Sequence, residues 1–306
     1  MKTVVFAAAF ALIAARAIAQ VPAQPAGADP HAGHMMTEQA QTPATARNPN
    51  LPPSGDNNGE QAIEQLKSSP RHGEWVDIKG SDGTPIKSFV VYPERRDKAP
   101  VVIVIHEIFG LSDWIRGVAD QLAKDGFIAI APDLLSGRGP NKGGSQELGS
   151  QGATQEIRNV TFADSVRMLN DVRDYGMKLP ASNGKTATVG FCWGGGTSFS
   201  YALAQPALNG AVSYYGPMPA DLTAYENAKV PVLGLYGGND ARVNANIPVA
   251  QAELKKRDVT YEPHIFDGAG HGFLRQQAGG QNAPGNMKAT EQAWPLTLEF
   301  LRAHTK

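Results

Sequence analysis

Three residues have types and an order suited to nucleophilic chemistry: Cys192, Asp240 and His271. Cys192 is the single cysteine of the 306 residues and stands in Gly190-Phe191-Cys192-Trp193-Gly194. That G-x-C-x-G pattern matches a nucleophile elbow with sulfur where oxygen is more usual. A sharp strand-to-helix turn lifts the nucleophile clear of a sheet, and small neighbours keep its strained backbone free of collisions. The turn also sets the sulfur at a helix N-terminus, whose partial positive charge favours a thiolate. A buried, inert cysteine filling a tight corner is the competing account.

Two later loops weigh against inertness. "LYGGNDARV" sets Asp240 behind an apolar strand and two glycines, and "FDGAGHGF" sets His271 in a glycine-rich loop after the last strand. Either residue alone could be a turn aspartate or a loop histidine. Nucleophile, acid and histidine together follow the chain order of α/β-hydrolases. In such a set the imidazole is general base and acid, while the aspartate fixes its tautomer and stabilises the imidazolium.

The elements that must position these groups are legible in the apolar pattern. Val101–Ile105 is a short, near-continuous apolar run, read as a strand buried on both faces of a parallel sheet. Further strands are expected in "FIAIAPD", "TATVGF", "GAVSYYG", "VPVLGLYG" and "VTYEPHIF". Helices are expected over 112–124, 156–175, the residues after Gly194, 249–256 and 288–302, with Pro295 kinking or starting the last. "EWVDIK" and "SFVVYP" alternate more strongly and read as an antiparallel edge. The fold class is α/β, a mostly parallel central sheet with helices on both faces. In such sheets the functional crevice lies beyond the carboxyl ends of the strands, where His106, Glu107, Asp133, Cys192, Asp240 and His271 stand.

The blocks "HEIFG", "APDLL", "VGFCWGG", "GGNDARV" and "GAGHGFLR" give a chain that resembles the dienelactone hydrolases (carboxymethylenebutenolidases) from about Gly73 to Leu301. The resemblance implies a single-domain α/β-hydrolase fold with Cys192 as nucleophile, His271 as base and Asp240 as its orienter. It implies that Glu107 interacts with the resting thiol and takes part in deprotonating it once substrate binds. Backbone N–H groups of Ile108 and Trp193 are expected to form the oxyanion hole. Arg275, four residues after His271, and Arg138, after "PDLLSG", are expected to hold a substrate carboxylate. Arg138 sits one residue further along than the family spacing, before a glycine-rich stretch. His106 is read as structural.

Apolar residues make up 42% of the chain and charged residues 19%, with a net charge of −1, which argues against nucleic acid or an anionic membrane surface as partner. Residues 1–19 combine Lys2, an apolar run and Ala17-Ile18-Ala19, the layout of a secretory signal peptide; an uncleaved anchor is the alternative. The expectation is export to the periplasm or medium, with no stable membrane association after cleavage. Residues 20–60, rich in Pro, Ala and Gly, read as a disordered leader removable to about residue 59 without loss of stability or turnover. Within it His31, His34, Met35 and Met36 could meet a soft metal ion, although nothing nearby would fix their geometry. The folded domain is set at 61–306. No metal or organic cofactor is implied, and the expected partner is a small ester or lactone. Two other readings stay open: a carboxylesterase or thioesterase for neutral short-chain substrates, and a non-catalytic binding protein on the same fold.

Overall fold

The computed structural model describes residues 47–56, 59–279 and 282–306. Its strands are β1 Gly73–Lys79, β2 Pro85–Val91, β3 Ala99–Ile105, β4 Ile128–Pro132, β5 Ser182–Phe191, β6 Gly210–Tyr214, β7 Val232–Gly237 and β8 Tyr261–Phe266. They form one eight-stranded sheet in the order β1-β2-β4-β3-β5-β6-β7-β8. β2 pairs antiparallel with both β1 and β4, and every other pairing is parallel. The edge and the parallel body are therefore as the apolar pattern indicates.

The helices are α1 Glu60–Ser68, α2 Asp113–Lys124, α3 Ser145–Glu156, α4 Phe162–Lys178, α5 Trp193–Ala204, α6 Ala241–Asn244, α7 Ile247–Lys255 and α8 Ala283–His304. Alternation inside the all-apolar strands decides which layer each side chain joins. On β3, Val102 and Val104 join Ile115 and Val118 of α2 and Trp294 of α8. Val101, Ile103 and Ile105 join Leu169 and Val172 of α4 and Phe199 of α5 on the opposite face. Both faces are covered, which is what continuous apolar strands require.

The helical stretch expected over 156–175 divides in two. Thr161 begins α4 with a capping box, its hydroxyl accepting from Asp164 N while the Asp164 carboxylate reaches back to Thr161 N. The glycine-rich stretch before it forms α3. α8 starts before residue 288 and runs through Pro295, which stands on the exposed side where water can serve the freed carbonyl. α1 was not anticipated; it packs on α2 through Ala62 and through Gln65, which donates to Asp120 at 2.6 Å.

The domain also begins earlier than residue 61. Leu51 is buried, Trp114 Nε1 donates to Pro53 O at 2.9 Å, and Gln277 Nε2 donates to Pro52 O at 3.0 Å. Hydrogen bonds to the backbone of this stretch anchor it where its few apolar side chains gave little sign of packing. The leader boundary is corrected accordingly for residues 47–56. The expected signal peptide at 1–19 and the His31, His34, Met35 and Met36 group lie outside the described residues.

Candidate active site

β5 ends at Phe191 and α5 begins at Trp193, so Cys192 alone makes the turn. Its backbone is left-handed, φ 53° and ψ −115°, a costly conformation for a residue with a Cβ. The flanking glycines are steric necessities. A Cβ on Gly190 would fall 1.9 Å from Gly194 O, and one on Gly194 would fall 2.3 Å from His106 O.

The structure brings the three sequence-predicted groups into one hydrogen-bonded chain. His271 Nδ1 lies 2.5 Å from Asp240 Oδ2, and His271 Nε2 lies 3.1 Å from Cys192 Sγ. The carboxylate can only accept, which assigns the proton to Nδ1 and leaves Nε2 to accept from the thiol. Asp240 is buried and also caps α6, so its side chain is fixed from two directions. Tyr215 holds the imidazole from the side, edge-on at 5.2 Å between ring centroids. Sequence reasoning missed Tyr215. Its buried hydroxyl has no partner among the described residues, and its φ of 41° is unusual for a tyrosine.

Glu107 is buried beside this chain, with Arg275 Nε 2.7 Å from its Oε2. The separation is that of a close ion pair, although the N–H is poorly aligned for a hydrogen bond. Burial pushes the Glu107 carboxyl up to about 7, against the opposing pull of Arg275. Burial likewise pushes the Cys192 thiol up to about 11, with the Glu107 charge adding to it. The Trp193 N–H, Arg242 and Arg275 act in the other direction and lose. Desolvation therefore outweighs the helix N-terminus, and the resting sulfur is a thiol. Glu107 acts on the thiol through its charge, and no hydrogen bond joins the two among the described residues. A guanidinium of opposite charge takes the carboxylate, and the sulfur turns to His271.

The other predicted residues separate. Ile108 N–H has no acceptor among the described residues, and Trp193 N–H, at the first position of α5, points to the sulfur side. Both amides are free to meet an oxyanion. His106 is structural: its Nδ1 donates to Glu107 O at 2.7 Å, its Nε2 accepts from Leu134 N at 3.1 Å, and its ring stacks on Trp193. Arg138 does not join the site. It is turned to Glu156 at 3.2 Å and Asp164 at 2.9 Å, carboxylates whose positions the α3–α4 break sets. Arg275 instead borders a cavity of about 1020 Å³ lined also by Trp75, Phe109, Trp114 and Lys87. Cys192 and His271 do not line that cavity, whereas Arg275 both lines it and pairs with Glu107.

A family model described as the dienelactone hydrolase family matches residues 86–305. A protein of Saccharolobus solfataricus, provisionally named a carboxymethylenebutenolidase, is 30% identical over 262 residues, spanning 74% of this chain and 97% of that one. The carboxymethylenebutenolidase of Pseudomonas putida is 29% identical over 235 residues, spanning 74% of this chain and 95% of its own. Among solved structures, a provisionally named dienelactone hydrolase of Klebsiella pneumoniae superposes with a TM-score of 0.66 at 25% identity, covering 76% of this chain and 98% of that one.

Proposed function

The chain belongs to the dienelactone hydrolase family and is a hydrolytic enzyme; on that premise we propose that it opens a lactone or small ester through an acyl-thioenzyme on Cys192. The observation that carries the reading is the unbroken chain Asp240–His271–Cys192, at 2.5 and 3.1 Å, on a strained elbow. The thiol gives its proton to His271 Nε2 as sulfur attacks the carbonyl carbon, and Asp240 stabilises the imidazolium. The carbonyl oxygen, now anionic, is received by the Ile108 and Trp193 N–H groups. Collapse breaks the ester C–O bond, and the leaving oxygen takes the proton from His271. Water then attacks the thioester with His271 as base, releasing the acid and restoring the thiol.

Glu107 is the second base of this scheme. A substrate carboxylate that draws Arg275 away leaves a buried, unpaired carboxylate, which binds a proton more tightly and can take the one on sulfur. The thiol thus stays protonated, and less open to oxidation, until substrate arrives. That protection suits an exported enzyme, the setting supported by the signal-like pattern of residues 1–19.

A neutral short-chain ester is the second reading, favoured by one observation. Arg138 is occupied by Glu156 and Asp164, which leaves Arg275 as the sole predicted arginine beside the site. The test of the mechanism is intact-protein mass after mixing with a slowly hydrolysed ester. One acyl group should appear on the parent and none on Cys192→Ala; an unmodified parent that still turns over removes the covalent route.

A further inference from the structure

Residues 47–56 lie outside the family match, which begins at residue 86, yet they are fastened to the loop carrying His271 and Arg275. Gly55 N donates to Arg275 O at 2.8 Å, and Ser54 Oγ, whose proton goes to Asp56 Oδ2 at 2.5 Å, lies 3.2 Å from the same oxygen. Ala278 N continues the seam by donating to Asp56 Oδ2 at 3.0 Å. On the far side Trp114 of α2 holds Pro53 O, so the segment is clamped between α2 and the Arg275 loop. The side-chain contact is closer still. A Cβ on Gly55 would stand 2.3 Å from Arg275 Cγ and 3.0 Å from its Cδ. The bare Gly55 backbone is therefore the surface on which the stem of Arg275 rests, while the Phe109 ring lies 5.1 Å from its guanidinium. Gly55 also forms part of the wall of the cavity that Arg275 borders.

We propose that Ser54 and Gly55 are positioning residues for Arg275, holding its guanidinium between Glu107 and the cavity and so setting preference for substrates that bear a carboxylate. The proposal rests on the hydrolase reading above. A free arginine samples many rotamers and loses that freedom when it grips an anion. One already seated on Gly55, with its backbone carbonyl tied to the Gly55 N–H, has less to lose, and the gain goes to anionic substrates alone.

The test is Gly55→Ala in the full-length protein. It adds a single methyl group against Arg275 Cγ, at a residue outside the left-handed region. Its kcat/KM on a carboxylate-bearing lactone should fall about tenfold, and on a neutral ester of similar size by less than about twofold. In an Arg275→Ala background the substitution should add nothing, since it acts through that side chain. The pH–rate profile supplies a readout that a merely structural role does not move. Glu107 faces Arg275, the Cys192 thiol and the Tyr215 hydroxyl, and Arg275 is the group that holds its carboxyl down. Displacing Arg275 should carry the Glu107 limb to higher pH. Ser54→Ala removes the hydroxyl that bonds Asp56 across Gly55, loosening the Gly55 backbone without adding volume; it should move both readouts the same way by less, and it serves if Gly55→Ala melts early. Equal losses on both substrates, additivity with Arg275→Ala, or an unmoved limb in folded variants overturns the positioning role. Failure of the acyl-thioenzyme reading looks different, because Cys192→Ala would then retain activity near the parent's whatever Gly55 does.

Discussion

Arg275 Nε and Glu107 Oε2 are 2.7 Å apart in a buried pair, while the thiol beside them is bonded to His271. Two bases thus stand near one proton, and a cation neutralises one of them. Removing one partner of a buried pair outright costs about 3–5 kcal/mol. An anion that replaces Glu107 at the guanidinium avoids much of that cost. The pair is therefore better fitted to exchange than to simple opening.

Glu107 should impose a pH dependence on stability. Its carboxyl stands at about 7 in the folded protein against an ordinary 4.5, so between those values the native state holds a proton the unfolded chain has lost. Its contribution is fully present below about 4.5 and is lost as pH rises through about 7, some 3 kcal/mol in all. Glu107→Gln should flatten the fall in Tm across this window. Thermal melts of parent and variant from about pH 4 to 8 read the difference directly. Parallel Tm curves would sink the assignment.

Arg275→Ala tests the substrate class. A guanidinium gripping a carboxylate is worth about 1.5–3 kcal/mol, so kcat/KM on a carboxylate-bearing lactone should drop by about ten- to a hundredfold. A neutral ester of similar size offers no anion, so it should lose distinctly less, with only the effect of leaving Glu107 unpaired. Steady-state kinetics on the two substrates decide. Equal losses, or none, leave the neutral-ester reading standing.

The parallel sheet was legible because its strands are apolar on both faces, and the elbow because Gly190 and Gly194 leave no room for a Cβ. The site order was legible because each group follows its own strand. Spacing could not show which partner each charge chooses. Arg138 looked available until α3 ended and Thr161 restarted the chain, placing Glu156 and Asp164 around it. The Leu51–Asp56 segment was illegible for a different reason. Beside Leu51 and Asp56, its attachment runs through the backbone of Pro52, Pro53 and Gly55, and backbone groups carry no compositional signal. Tyr215 could have been found only by its place just beyond the carboxyl end of β6, where Ser213 and Tyr214 are polar as well.

The chain beginning at Ala46 and the chain beginning at Gly59 should differ in stability. The shorter one loses the buried Leu51 side chain, leaves Trp114 Nε1 without its acceptor and leaves Gln277 Nε2 with Leu274 O alone. Each such loss costs on the order of 1–3 kcal/mol, and for a domain of this size 1 kcal/mol moves Tm by about 2–4 °C. The shorter chain should melt at least about 5 °C lower by calorimetry. Coincident melts would restore the leader boundary at residue 61.

The proposed mechanism places its nucleophile at Cys192, so substitutions there are expected to be severe. Groups that act as a unit lose nearly everything when one is removed, so Cys192→Ala should cut turnover by at least about a thousandfold. The fold should survive, because alanine keeps the Cβ that the left-handed turn already accommodates. Cys192→Ser keeps a nucleophile of similar shape yet should remain poor. A hydroxyl is far less acidic than a thiol, and burial that already raises the thiol to about 11 disfavours an alkoxide still more. Far-ultraviolet circular dichroism with initial rates on one lactone and one ester separates loss of fold from loss of chemistry. Activity of a folded Cys192→Ala within tenfold of the parent would mean that water, activated by His271 and Asp240, attacks the carbonyl without any bond to sulfur.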